Sequence, residues 1–263
     1  MHVAGIVVDN TRIAERTFRL AVSVSEAVPP IAPGQFAMLR LPNRSDPLLG
    51  RPLAVYRLTR STTSTLLEFV YLVVGKMTAR LAETRPNDVL EIWLPLGNGF
   101  REDDAEHHIL VAGGIGQTPF LMFAECHPNS TLLYGARTAA RIACIEDFER
   151  LGINVRLATD DGSRGHCGAV TELITTVYHP DVPTKIIACG PQPMLRAAFR
   201  VAENLGLPCD VSLESPMSCG LGICFSCVVE CRSNENPDEW DYRRTCVDGP
   251  VFDAYRLKWD ETV

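Results

Sequence analysis

The chain has 263 residues, 19 Gly and 18 Pro among them, with ordinary apolar content and a formal net charge of −7. This length suits one large or two small domains, and the charge argues against nucleic acid and against an anionic membrane surface. No apolar run approaches the roughly 20 residues of a membrane span. The start, Met1-His2-Val3-Ala4-Gly5, lacks the basic and apolar regions of a secretion signal, so the ten cysteines point to a reducing, cytoplasmic setting.

Residues 3–100 read as an antiparallel β unit. The run from Arg16 to Val22 alternates polar and apolar at period two, the mark of a half-buried strand. A Pro/Gly-rich break at 29–34 ends it. Further strands are expected at Gln35 to Leu41, Val55 to Leu58, Leu66 to Val74 and Asp88 to Pro95, and only Thr78 to Glu83 reads as helix. Short strands at this spacing suggest a small closed barrel.

Residues 105–212 change character. His108 to Ala112 is a continuous apolar run, as in a parallel strand buried on both faces. Similar runs stand at Thr131 to Tyr134, Asn154 to Ala158 and Lys185 to Cys189, separated by helical patterns such as Pro119 to Ala124, Ile145 to Arg150 and Ala169 to Val177. That alternation indicates a doubly wound parallel sheet. From Leu213 onward there is too little apolar sequence for an independent core, so the tail is expected to dock on the rest and to be held by a metal group. The division expected is 1–102, 103–212 and 213–263.

The tail carries the most specific signal. Cys219, Cys224 and Cys227 stand at C-x4-C-x2-C, and Cys246 follows in Arg243-Arg244-Thr245-Cys246. This is the spacing of a plant-type [2Fe–2S] site. Gly220 and Gly222 would let backbone N–H groups turn towards the sulfurs, and Ser215, Ser218 and Ser226 could add donors. Structural zinc prefers paired C-x2-C knuckles, of which only one is present, and disulfides need an oxidising compartment. Cys231 follows an alternating strand-like run leading away and reads as a non-ligand. The other five cysteines, Cys126, Cys144, Cys167, Cys189 and Cys209, read as small buried hydrophobes.

Four further stations suit anions or nucleotides. Gly113-Gly114-Ile115-Gly116-Gln117-Thr118-Pro119 lies between a strand and a helix, where glycines let a diphosphate approach free N–H groups. It is not a full G-x-G-x-x-G fingerprint, and a tight turn would also use glycine. Cys189-Gly190-Pro191 ends a second strand of the same sheet, so both turns are expected to face one crevice. Arg51, fixed beside Pro52, suits a phosphate, although a lone surface arginine is the commoner explanation. Gly75-Lys76-Met77-Thr78 is again anion-friendly. The six histidines show no metal-ligand spacing and read as structural or exposed.

In this order the stations resemble the ferredoxin–NADP reductase superfamily, in which a flavin-binding barrel precedes a nicotinamide-nucleotide domain. The C-terminal cluster narrows the resemblance to the electron-transfer subunits of NAD-linked (type 1B) dihydroorotate dehydrogenases. Pro95-Leu96-Gly97-Asn98-Gly99-Phe100, Thr159-Asp160-Asp161-Gly162-Ser163, Glu214-Ser215 and Cys246 to Phe252 strengthen it. The resemblance implies FAD, a [2Fe–2S] cluster and NAD. By it, Arg51 binds the FAD diphosphate; Pro52, Leu53 and Ala54 line the isoalloxazine; and Gly75 and Thr78 cap the flavin phosphate side. Gly114 and Gly116 accept NAD, Cys189 and Gly190 lie near the nicotinamide, and Cys219, Cys224, Cys227 and Cys246 hold the cluster. The sequence departs from the pattern at Ala54, where relatives usually have serine, and at Met77, where they commonly have glycine or another small residue.

The resemblance also implies a partner, an FMN-containing dihydroorotate dehydrogenase catalytic subunit, in a heterotetramer that feeds electrons through cluster and FAD to NAD in pyrimidine biosynthesis. No acid or base is expected in this chain. Two other readings stand beside it: the small subunit of a ferredoxin–NADP transhydrogenase or a sulfhydrogenase, and a non-enzymatic redox sensor. Arg137 and Arg141 could hold a 2′-phosphate, so NAD over NADP rests mainly on the resemblance.

Overall fold

The computed structural model describes residues 1–43, 45–233, 236 and 238–259. Its first sheet contains β1 (His2–Ala14), β2 (Thr17–Val24), β3 (Phe36–Arg40), β4 (Arg51–Ala54), β5 (Arg57–Arg60), β6 (Thr65–Leu72) and β7 (Val89–Leu96). The order is β4-β3-β7-β1-β2-β6-β5, with every pairing antiparallel. Residues expected to open one strand, Val55 and Tyr56, instead join β4 to β5. The Val55 N–H donates to the Gln35 carbonyl at 3.2 Å and the Tyr56 N–H to the Glu68 carbonyl at 2.9 Å. These bonds reach opposite edges of the sheet and curl it into a barrel, filled by side chains such as Val22, Leu39, Phe69 and Leu94. The barrel helix, α1, spans Lys76–Leu81 and starts earlier than expected. Thr78 Oγ1 accepts from the Val74 and Gly75 N–H groups at 3.0 and 3.1 Å, so the threonine ends the turn rather than opening the helix.

The second sheet contains β8 (His107–Gly113), β9 (Ser130–Ala136), β10 (Asn154–Thr159), β11 (His166–Cys167), β12 (Thr184–Cys189) and β13 (Cys209–Ser212). Helices α2 (Phe120–Cys126), α3 (Ile145–Arg150), α4 (Ile174–Val177) and α5 (Gln192–Leu205) connect them. A hairpin of β14 (Val228–Arg232) and β15 (Trp240–Arg244) follows, and then β16 (Val251–Asp253) returns to the second sheet. The order is β11-β10-β9-β8-β12-β13-β16. All pairings are parallel except the last, where β16 runs antiparallel to β13. The direction of winding reverses between β8 and β12, and ligands of such sheets bind outside the carboxyl ends of the strands at that point. The segment 169–177 is helical but begins as a 3-10 turn over Val170–Leu173.

Barrel and sheet are joined by a buried charge network. Asp147 on α3 is 2% exposed and accepts from the Tyr56 hydroxyl at 2.6 Å. Arg19, Arg57 and Arg150 reach it at 3.0, 3.3 and 2.7 Å. Burial works to raise its pKa, but the Tyr56 hydrogen bond and the Arg19 and Arg57 charges outweigh it and hold the carboxyl below the usual range. Phe100 adds an apolar joint, stacking on Phe120 and meeting Phe123 edge-on at 5.7 and 5.4 Å between ring centroids.

Candidate functional site

On the barrel, β4 presents Arg51, Pro52, Leu53 and Ala54 half-buried along an edge. Arg51 Nη1 donates to the Gly50 carbonyl at 2.9 Å, and its guanidinium has no carboxylate partner among the described residues. A rigidly placed, uncompensated fork of this kind suits an oxyanion. Across the barrel rim, Gly75 caps α1, but the Thr78 hydroxyl is occupied by the turn, so the backbone N–H groups of the first helical turn are the donors left for an anion there. Met77, the unusual residue of this stretch, points into the barrel core and is buried.

At the reversal point of the second sheet, β8 leads into a 3-10 turn over Gly114–Gln117, with Gly114 at a φ of 56°. Gly116 is needed for close approach, since an added Cβ would overlap the Cys189 carbonyl. Gly190 in turn packs on the Gly113 backbone. The two turns expected to share a crevice are therefore in direct contact. Within it, Cys189 is buried and paired in register with Ser212. Burial, then the nearby Glu214 carboxylate, push the Cys189 thiol up to about 12, so it stays protonated. Glu214 keeps an exposed face yet is hemmed in by protein, which raises its pKa. Gln117 is 0% exposed, and neither its Nε2 nor its Oε1 has a hydrogen-bond partner. Of the two arginines that could hold a 2′-phosphate, Arg141 is engaged with Glu15 of the barrel at 3.4 Å, and Arg137 is exposed.

The cysteines of the tail form two pairs. Cys219 and Cys224 are hydrogen-bonded to each other near the surface, and Cys227 and Cys246 are hydrogen-bonded to each other and buried. Among the described residues no three Cys, His, Asp or Glu side chains converge on a point for a single metal ion. Two thiol pairs instead match a binuclear group, in which each iron takes two thiolates. Ser226 Oγ lies 3.2 Å from Cys224 Sγ, the Leu221 N–H donates to Cys219 Sγ at 3.3 Å, and hydrogen bonds with Ser226 and then Cys219 together lower the Cys224 thiol to about 6. Of the other expected donors, Ser215 is bonded to Thr245 Oγ1 at 2.8 Å, and Ser218 uses its backbone N–H on Ser226. Cys231 lies on β14 and packs into the core of the second sheet, apart from these pairs.

The cluster loop is seated on the barrel. Cys227 and Cys246 pack with Phe36, Met38 and Trp93. Gly220, at a φ of 69°, lies so close to Met38 that an added Cβ would overlap it. Met38 pairs with Pro52 of β4 in the barrel ladder. Asn98 completes the seat: its Nδ2 donates to the Asp248 and Val251 carbonyls at 3.1 and 2.8 Å, and its Oδ1 accepts from the Val251 N–H at 2.9 Å. The thiol loop thus lies against the strand beside the arginine edge, and the donor sets of the cysteine loop, the arginine edge and the glycine turns fit an iron–sulfur cluster, a flavin and a dinucleotide respectively.

An antiparallel barrel, a doubly wound sheet with a glycine turn at its reversal point and a four-cysteine loop define a flavin-dependent reductase of the ferredoxin–NADP reductase class. A solved NADH-dependent reduced ferredoxin-NADP oxidoreductase, studied for flavin-based electron bifurcation, superposes with a TM-score of 0.84 at 28% identity, covering 98% of this chain and 90% of its own. The flavohem-like FAD/NAD-binding domain of nitric oxide dioxygenase from Vibrio cholerae shares the fold, with a TM-score of 0.71 at 15% identity over 81% of this chain and 99% of its own. Residues 214–258 match the iron-sulfur cluster binding domain of dihydroorotate dehydrogenase B, and residues 110–200 match the oxidoreductase NAD-binding domain. The chain belongs to the family of electron transfer subunits of dihydroorotate dehydrogenase B (NAD(+)). The Bacillus caldolyticus member is 37% identical over 250 residues, 92% of this chain and 93% of its own. An Aquifex aeolicus homologue is 31% identical over 251 residues, 94% of each chain. FAD, a [2Fe–2S] cluster and NAD are the cofactors of this oxidoreductase.

Proposed function

We propose that this chain accepts electrons at the four-cysteine loop from an FMN-containing catalytic subunit that oxidises dihydroorotate, and delivers them to NAD at the Gly113–Gln117 turn. Bound FAD supplies the ability to exchange electrons singly with a cluster and in pairs, as hydride, with NAD. The residues position these groups. Cys219, Cys224, Cys227 and Cys246 hold the cluster. Arg51 holds the flavin diphosphate, Pro52, Leu53 and Ala54 lie against the ring, and Gly75 and the turn shaped by Thr78 close the phosphate side. Gly114 and Gly116 admit the dinucleotide, with Cys189 and Gly190 beside its reactive end. The contact of Gly220 with Met38, and of Met38 with Pro52, carries the reading, because it sets the cluster loop against the flavin strand.

The partner meets the cluster edge. Ile223 is 75% exposed, Phe225 61%, and Leu221 and Val247 are also exposed. Phe225 adopts a φ of 59°, a costly backbone for an aromatic residue, and holds its ring under Arg244 at 5.5 Å. Apolar residues gathered round the more exposed thiol pair suit a docking surface. The assembly proposed is a heterotetramer with that catalytic subunit, placed in the cytoplasm by the reducing setting that ten cysteines suit. The test is reconstitution. Alone, the chain reduces dyes with NADH and does not oxidise dihydroorotate; with the partner it couples dihydroorotate oxidation to NAD reduction. Coupling to ferredoxin in place of the partner would favour the transhydrogenase reading.

A further inference from the structure

In doubly wound sheets the adenosine ribose of a dinucleotide meets the chain about 20 residues beyond the glycine turn. An acidic residue there takes the 2′-hydroxyl of NAD, or an arginine takes the 2′-phosphate of NADP. Counted from Gly116, that point is the carboxyl end of β9, where Gly135 to Arg141 contains two arginines and no carboxylate. Composition alone therefore favours a 2′-phosphate. Neither arginine is set to hold one. Arg141 is turned to Glu15 of the barrel, and Arg137 is exposed, with no carboxylate partner among the described residues to fix its side chain.

The carboxylate comes from the neighbouring loop, after β10. The Asp160 and Asp161 N–H groups donate to the Ala136 and Arg137 carbonyls at 3.1 and 3.3 Å, which lays this loop against the end of β9. Thr159 is 0% exposed and closes the loop on itself: its Oγ1 donates to the Arg164 carbonyl at 2.9 Å and accepts from the Arg164 N–H at 3.0 Å. The Ala139 N–H, first of a 3-10 turn over Ala139–Arg141, donates to Ser163 Oγ at 2.7 Å. Ser163 in turn donates to Asp161 Oδ1, from its hydroxyl at 2.6 Å and from its N–H at 3.0 Å. A fixed carboxylate thus stands one hydroxyl behind the leading N–H of the turn, the donor an anion would otherwise take. The Ser163 bonds, the hydroxyl first, hold the Asp161 carboxyl below its usual range, so it is ionised near neutrality. Ser163 uses two of the roughly four acceptor positions of a carboxylate, and exposed Asp161 can still accept from a sugar hydroxyl.

We propose that Asp161 and Ser163 set the coenzyme preference of this chain, accepting the 2′-hydroxyl of NAD and repelling the 2′-phosphate of NADP. Such a phosphate carries about −1.5 to −2 charges at pH 7. It meets a like charge held in place and an N–H already filled, and contacts of that kind discriminate against the wrong ligand. Exposed Arg137 and Arg164 would have to give up side-chain freedom to offset them.

The test uses the full chain loaded with FAD and cluster. Calorimetric titration compares 5′-AMP with adenosine 2′,5′-bisphosphate at constant ionic strength, and dye reduction compares kcat/KM for NADH and NADPH. The wild type should favour the ligand without the 2′-phosphate by about 10-fold or more in both. Asp161→Asn, which keeps the shape and removes the charge, should narrow both ratios about 10-fold, and Ser163→Ala, which frees the Ala139 N–H, should act in the same direction. Asp181→Asn, an exposed aspartate in the loop that leads into β12, should change neither. Equal wild-type binding of the two nucleotides would overturn the proposal. The proposal rests on the dinucleotide lying at the Gly113–Gln117 turn, which Gly116→Ala reads separately. If Gly116→Ala binds NADH as the wild type does, that placement fails and this inference with it. If Gly116→Ala binds NADH weakly while Asp161→Asn and Ser163→Ala keep the wild-type ratios, this inference alone is overturned.

Discussion

Asp147→Asn is the most informative single change, because it removes the charge on which barrel and sheet converge and almost nothing of the shape. Three arginines and the Tyr56 hydroxyl lose their common acceptor charge. Breaking a buried ion pair by neutralising one partner costs about 3–5 kcal/mol. Arg150 is 69% exposed and can return to water, and Arg19 and Arg57 retain Glu68 at 2.8 and 3.6 Å, so the lower figure applies. At about 2–4 °C per kcal/mol for a chain of this size, a loss of about 3 kcal/mol lowers the midpoint by about 6–12 °C. The pH dependence gives a second reading. The folded carboxyl titrates below its unfolded value, so its contribution is complete above about pH 4 and is lost as pH falls through the lower folded value. The gap between wild type and variant, measured by differential scanning calorimetry of the holoprotein, should be constant near neutrality and close on acidification below about pH 4. A midpoint within 1 °C of wild type at pH 7, or a gap that widens in acid, would refute the assignment of this network as the joint.

The cysteine set makes a direct prediction: Cys224→Ser or Cys246→Ser abolishes the visible spectrum of the cluster, while Cys231→Ser leaves it almost intact. Arg51→Gln should weaken FAD retention about 10-fold or more, read by equilibrium dialysis of flavin, with the cluster spectrum unchanged. Gly116→Ala forces the turn away from the Cys189 carbonyl and should raise the KM for NADH while sparing FAD content. Gln117→Met replaces a buried amide that lacks partners and should leave stability unchanged or raise it by about 1 kcal/mol in denaturant unfolding; a loss of more than about 2 kcal/mol would show that the amide is satisfied.

Parts of this architecture were legible from residue order alone because their physics is local. Strands β8 and β12 are buried on both faces and so read as unbroken apolar runs. Helix α3 spans Ile145–Arg150, as its pattern indicates. The cysteine spacing is legible because coordination tolerates few alternatives. Strand β1 is not, since Ile6 and Val8 face solvent and blur the alternation that Val3 and Val7 would establish. The break at Val55–Tyr56 and the return of β16 are set by partners distant in sequence, Gln35, Glu68 and the β13 edge. The same holds for the site: Arg51 and Gly116 stand out locally, whereas Asp147, Asn98 and the approach of Glu214 to Cys189 exist only once remote segments meet. In Pro95 to Phe100 the sole signal for Asn98 was a polar residue between two glycines.

Because β16 lies beside β13, the segment from 213 to 250 is an insertion between two neighbouring strands, not a free tail. Both of its ends are pinned to the same sheet edge, and loop-closure entropy grows only slowly with length. Cys231 in the core of the second sheet and Asn98 on the Asp248 carbonyl hold the segment between those ends as well, so loss of iron should loosen a bounded excursion of the chain and leave its exit points anchored. A nick within this excursion yields two pieces that the β13–β16 pairing still holds together, and reassembly of the cluster begins from ligands already gathered near their final places.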